Sequence, residues 1–425
     1  MTSLRPQHAP GAVIVGGYVN ALGLVRALAA RHVPTAVVRT KAYDIAHRSR
    51  WVTGHDAALD IEERPEQLVE LLERRTRDWS GWALLPSNDG SLAALAQYQE
   101  QLSSTYRVIA PAGEIAPYFL DKERMLDVAR AIGVDVPFCY GPAVEATAAL
   151  PELRFPVVVK PVVGYRFLSR FGCKLFVAHD RRELGACLTR LADAGLPGHV
   201  FDFIPGADRQ IYAYCTYMDA SGEPQAGLTV RKLRQGPPFF GVARVAEIAE
   251  DQPGLREATI EFLRRVGFRG IAVAEFKLDP RDGRFRFLEV NGRSVIYNAL
   301  LRQAGLDLGG LAWSDYVCDR PERARPHHWP GVWINLHADV LYSTLYRRHE
   351  RVSLADFFGP YKRPKIDAVW SARDPLPFIT QWSRTAWAGA SALWRGTQSE
   401  LVADRTRAER SAREANPTDT AAASS

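Results

Sequence analysis

Glu275 and Glu289 are the residues of this 425-residue chain best placed by type and spacing to do chemistry. They stand in the stretch 270–293, GIAVAEFKLDPRDGRFRFLEVNGR, which reads as a β-hairpin turning at Asp279-Pro-Arg-Asp-Gly283. Alternation puts Ile271, Val273, Glu275 and Lys277 on one side of the first strand, and Phe285, Phe287, Glu289 and Asn291 on one side of the second. A five-residue loop that sets Asp279 opposite Phe285 brings Glu275 opposite Glu289, with Cβ atoms about 5 Å apart. Two bare carboxylates at that separation repel. A divalent cation between them reverses the sign, and Asn291 on the same face adds a neutral oxygen suited to Mg²⁺. The plain alternative is a solvent-facing hairpin with scattered charges. Against it, Glu289 interrupts the apolar run Phe-Leu-Glu-Val, where a carboxylate needs a partner.

Further signals precede the hairpin. Asp121-Lys122 opens a helix that ends in Gly133-Val-Asp-Val-Pro137, with Asp121 as its N-cap. Phe155-Pro-Val-Val-Val-Lys160-Pro161 is an apolar strand ending in lysine. A basic segment with two glycines, Gly164 to Lys174, follows, and then His199-Val-Phe201-Asp-Phe203-Ile204-Pro-Gly206. In this order the pieces resemble the ATP-grasp superfamily, whose signature here is Glu289-x-Asn291-x-Arg293 preceded by Glu275. The resemblance covers roughly 117–320 and implies an α/β protein, α+β within its lobes. A parallel-sheet domain over 11–116 comes first, followed by a smaller lobe over 117–205 and a larger one over 206–320.

The resemblance also implies roles. Lys122 and Lys160 contact ATP phosphates, and Lys122 suits that role because a cation in the first helical turn is disfavoured unless it reaches an anion. The family's flap between Lys160 and Lys174 is glycine-rich, whereas this one carries bulky side chains, so Lys174 is expected to supply charge in place of backbone amides. Phe203 and Ile204 receive adenine, Asp208 is available for ribose, and Gln210 stands where the family frequently has glutamate. Mg²⁺, with Mn²⁺ as a substitute, is held by Glu275, Glu289 and Asn291. Arg231, Lys232 and Arg234, three cations without acidic neighbours in sequence, call for an anion and are assigned with Arg293 to the acyl substrate or the transferred phosphate. The implied activity is ligation of a small-molecule carboxylate to an amine through an acyl phosphate, with amino-acid or peptide-like substrates. The alternatives are a non-catalytic nucleotide-binding protein and a carboxylase. Ser294-Val-Ile-Tyr297 lacks the acidic base expected of the biotin-carboxylase branch.

Composition fits a large enzyme, with 47% hydrophobic and 24% charged residues. The net charge of +6 is diffuse, and no nucleic-acid-binding module is recognisable. No apolar run reaches the roughly 18 to 20 residues of a membrane span, and the N-terminus carries no secretory pattern, which points to the cytoplasm. Five isolated cysteines argue for reduced thiols. Strand and helix signals alternate from 11 to about 115, but the first turn does not spell GxGxxG, and Val38-Arg39-Thr40 offers no acid to a ribose, against an NAD enzyme. Gly16, Gly17 and Asn20, and also Ser87-Asn88-Asp89-Gly90, are substrate-side candidates; for the latter an ordinary turn before a helix is the plain reading. The segment 321–396 is rich in tryptophan, and a helix there is expected to pack on the grasp domain or on a second copy in a homodimer, in preference to a membrane surface. Residues 1–10 and 397–425 read as flexible ends.

Overall fold

A computed structural model describes residues 10–143, 153–237, 240–345 and 353–395. The expected tail beyond 396 lies outside them. Three sheets organise the described chain. The first is parallel, in the order β3-β2-β1-β4-β5, from β1 (Ala12–Val15), β2 (Thr35–Val38), β3 (Val52–Asp56), β4 (Ala83–Pro86) and β5 (Arg107–Val108). β1, β2 and β4 are buried at every position, as continuous apolar runs in a sheet covered on both faces should be. The chain order reverses between β1 and β4, and the crevice beyond the carboxyl ends of such strands is where an open sheet receives ligands. Gly16, at φ +97, turns the chain out of β1 there, and a Cβ on it would stand 2.2 Å from the Ser87 hydroxyl. Asn88 then caps the helix Asp89–Gln97 reciprocally with Ser91.

The second sheet, in the order β6-β9-β7-β8, is antiparallel and consists of β6 (Cys139–Pro142), β7 (Val157–Pro161), β8 (Phe176–Ala178) and β9 (Gly198–Asp202). Val157, Val158 and Val159 are all buried, so β7 is covered on both faces and delivers Lys160 at its end. Where the resemblance places a flap, glycine-poor in this chain, the residues Gly164–Phe171 form a helix. Phe167 explains the difference. It is fully buried, 4.8 Å from the Phe171 ring and 4.9 Å from Phe176, and Gly172 at φ +66 ends the helix.

The third sheet, in the order β14-β13-β10-β11-β12-β15-β16, contains β10 (Ile211–Met218), β11 (Pro224–Gly236), β12 (Val242–Ile248), β13 (Gly270–Asp279), β14 (Arg284–Asn291), β15 (Val332–Ile334) and β16 (Lys365–Asp367). Its inner face shares one core with the first sheet, including Ile14, Leu22, Cys215, Val273 and Trp333. The tryptophan-rich segment thus adds two strands to the sheet, and its helix Leu376–Arg395 lies against the first unit, with Gln381 donating to the Tyr18 hydroxyl at 3.2 Å. No helix among the described residues is long and apolar enough to cross a membrane.

Candidate functional site

The hairpin β13–β14 sets Glu275 directly opposite Glu289, as its sequence suggests, but by another route. The turn is one residue tighter than expected and pairs Asp279 with Arg284; an extra residue, Leu288, then restores the Glu275–Glu289 pair. The bulge also changes faces. Phe287 and Val290 enter the core beneath the sheet with Phe285 beside them, while Glu289 and Asn291 line a cavity, so Phe285 and Phe287 do not share a face with Glu289 as alternation predicts.

That cavity, of about 700 Å³, lies where the three sheets converge. Lys122, Lys160, Lys174, Ile204, Lys232, Glu275, Glu289, Asn291 and Arg293 all line it. Asp121 caps the helix Lys122–Ala131, accepting from the amides of Glu123 and Arg124, and this presents Lys122 to Glu289, to which it donates a hydrogen bond. Lys232 donates to Glu275 at 2.6 Å. Arg293 spans the site, with Nε 2.6 Å from Asp89 and Nη2 3.0 Å from the Asn291 side-chain oxygen.

Cations outnumber acids at the deep end. Burial pushes the Lys160 ammonium down to about 8, with Lys122 adding to the shift and Glu289 opposing it. Lys174 is lowered for the same first reason, also against the pull of Glu289. Burial alone would raise the Glu289 carboxyl, yet Lys122, Lys174 and Lys232 outweigh it and hold the group well below the usual carboxylate range. The Lys160 ammonium stands over the Phe201 ring, 5.5 Å from its centroid. An acceptor-rich anion with a bridging divalent cation is the complement of this set: lysines supply donors, while two carboxylates and an amide oxygen supply hard oxygen ligands.

Not every expected residue reaches the cavity. Arg231 lies opposite Glu247 on the neighbouring strand and donates to it at 2.9 Å, and Arg234 donates to buried Asp339 at 2.8 Å. The run Thr229 to Gln235 is strand rather than the start of a loop, so its acidic partners come from across the sheet and from the C-terminal segment, where local sequence hides them. Register shifts on both sides of Arg234 break the alternation, leaving Lys232 and Gln235 to line the cavity. Asp208 is engaged by Gln235, through its amide at 2.8 Å and side chain at 3.0 Å, and Gln210 packs under Gly206; neither lines the cavity. Phe203 is buried behind the wall, 6.0 Å from Phe240, and the Ile204 carbonyl accepts from Lys277 at 2.9 Å.

Sequence reasoning missed other lining groups. Lys41, Glu62, Gln235, Asn335 and Tyr342 belong to the wall. Asn20 and Ser87-Asn88-Asp89-Gly90 do line the cavity, at the reversal between β1 and β4, whereas Gly16 and Gly17 serve the turn beneath.

No protein-family model matches the chain. It is 25% identical over 273 residues to a D-aspartate ligase of Enterococcus faecium (strain Aus0004), a match that takes in 60% of this chain and 64% of that protein's length, under two thirds of it. Among solved structures, an L-amino acid ligase from Bacillus licheniformis superposes with a TM-score of 0.58 at 16% identity, covering 75% of this chain and 78% of the other. The biotin carboxylase domain of the Hydrogenobacter thermophilus 2-oxoglutarate carboxylase, in complex with MgADP and bicarbonate, gives 0.59 at 16% identity, covering 77% and 74%. At such identities the likeness establishes a shared fold.

Proposed function

We propose that this chain, which has the ATP-grasp fold, is an ATP- and Mg²⁺-dependent ligase that joins a carboxylate to an amine, with amino-acid or peptide-like substrates. The observation that carries the reading is the convergence in one cavity of Glu275, Glu289 and Asn291 with Lys122, Lys160, Lys174, Lys232 and Arg293. The names of the relatives support it: two are amino-acid ligases, and one solved relative holds MgADP. A bound Mg²⁺ would neutralise phosphate charge, and Glu275, Glu289 and Asn291 are the groups that would hold it.

The chain's own residues would then act as follows. Lys122, Lys160 and Lys174 hold the phosphates of ATP. The carbonyls and amides around Phe203 and Ile204 take the adenine edge. Arg293, already fixed by Asp89, holds the substrate carboxylate as it accepts the γ-phosphoryl group; the amine then attacks the acyl carbon and inorganic phosphate leaves. Positioning and charge supply the catalysis, since the protein contributes no covalent step.

A nucleotide-binding protein without ligase chemistry is the second reading, favoured by the helix Gly164–Phe171 where the family has a glycine-rich flap. Phosphate and ADP release across a panel of carboxylates, with and without amines, coupled to product mass, separates the two. The ligase should form ADP with at least one pair, and Glu289→Gln should reduce that rate by roughly a hundredfold or more, since it removes one of two carboxylates from the cation site. Full Mg²⁺-dependent activity in Glu289→Gln removes the metal assignment, and absence of ADP with every pair favours the second reading.

A further inference from the structure

Part of the cavity wall has a different character. Tyr18 and Tyr43 meet edge to face at 5.5 Å, and the Tyr342 ring sits so close on Gly236 that a Cβ there would be 2.3 Å from it. Val242 pairs with Gly236 across the β11–β12 ladder, and Tyr342 is near enough to Tyr18 to perturb its hydroxyl. Leu168 lines the same cavity from the helix Gly164–Phe171, whose Ser169 donates to Glu62 at 2.8 Å. All five apolar residues line the cavity, yet Tyr43, Leu168 and Val242 remain 57%, 46% and 40% exposed. Exposed apolar groups from three separate segments lining one cavity mark a surface that a ligand covers.

The charges along this part of the wall are already matched. Lys41 pairs with Glu62 at 2.7 Å, the Asp44 carboxylate accepts from the amides of Thr40 and Lys41 at 2.8 and 3.0 Å, and Arg384 donates to the Asp44 carbonyl at 2.9 Å. We propose that Tyr18, Tyr43, Leu168, Val242 and Tyr342 form a subsite for the aromatic or branched aliphatic side chain of an amino-acid substrate. The proposal rests on the amino-acid ligase reading for the identity of that ligand. Tyr342 brings the C-terminal segment into this wall.

The test uses the full-length protein, Mg²⁺ and a non-hydrolysable ATP analogue, titrated calorimetrically with phenylalanine, alanine and aspartate, while ADP formation from ATP is followed separately with the same amino acids. Phenylalanine should bind at least about tenfold more tightly than alanine, the ratio expected from burying its ring, and aspartate no better than alanine. Val242→Asp, at an exposed strand end, and Tyr342→Ala should each bring phenylalanine to within about threefold of alanine while the affinity for the ATP analogue stays unchanged. If one variant loses the analogue, the other decides. Equal affinities in the wild type, a preference for aspartate, no binding of any of the three, or a preference that survives the substitutions overturns the subsite. Selective phenylalanine binding without ADP formation supports the subsite and counts against the ligase instead.

Discussion

Lys160 shows how a single residue can report on what its site is built to hold. It ends a strand of three buried valines, and burial first, then Lys122, lowers its ammonium to about 8. An unfolded lysine titrates near 10.4. Between these values the unfolded chain binds more protons than the folded one, so Lys160 makes the ligand-free protein more stable as pH rises from about 8 to about 10.4. Below about pH 8 both states are charged and the destabilisation is complete. A polyphosphate favours the charged form and reverses the shift. ATP binding near pH 8.5 should therefore take up a fraction of a proton, read by calorimetry in two buffers of different ionisation enthalpy. In Lys160→Met the uptake should fall, what remains coming from Lys174 and Lys277, which burial also lowers. Unchanged uptake would take Lys160 out of the phosphate site.

At the scale of elements, the strand β9 and its continuation through Ile204 are expected to set nucleotide choice. The Phe203 ring is buried behind the wall, Ile204 lines the cavity, and Lys277 anchors the Ile204 carbonyl, so the backbone is held in a fixed donor–acceptor pattern. With that backbone as the proposed adenine edge, ATP should bind at least about tenfold more tightly than GTP, because a mismatched edge leaves buried polar groups unpaired. Equal binding of the two in calorimetry would show that this strand does not read the base. The hairpin and β7 are legible in sequence because each sets a charge against an apolar run. The helix Gly164–Phe171 is not, since the resemblance places a loop there and the Phe167–Phe171 spacing that buries one face is only one turn long. The Glu275–Glu289 pairing holds although the turn is one residue tighter than alternation predicts, because the bulge at Leu288, which alternation cannot reveal, cancels that offset.

At the scale of the whole molecule, the three-residue strands β15 and β16 are too short to carry a periodic signal, yet they place the C-terminal segment in the large sheet and bring Tyr342 to the cavity. What fixes the segment is charge that sequence order conceals. Asp339 is wholly buried and holds Arg234 at 2.8 Å and Arg244 at 3.4 Å, both nearly buried themselves, while the Tyr361 hydroxyl donates to it at 2.5 Å. Without the carboxylate, two guanidiniums would remain in the interior with their charge uncompensated, and breaking a buried pair from one side costs about 3–5 kcal/mol. An exposed pair such as Arg264–Glu223, half solvated on both sides, contributes at most about 1 kcal/mol. Asp339→Asn should accordingly lower the urea midpoint far more than Arg264→Ala does. The same helix, Leu336–Leu345, carries Asp339 and Tyr342, so the substitution should also weaken selection among amino acids before it weakens ATP binding, whose lysines sit on other elements. Comparable midpoints for the two variants would mean that the C-terminal segment is held by its apolar contacts alone.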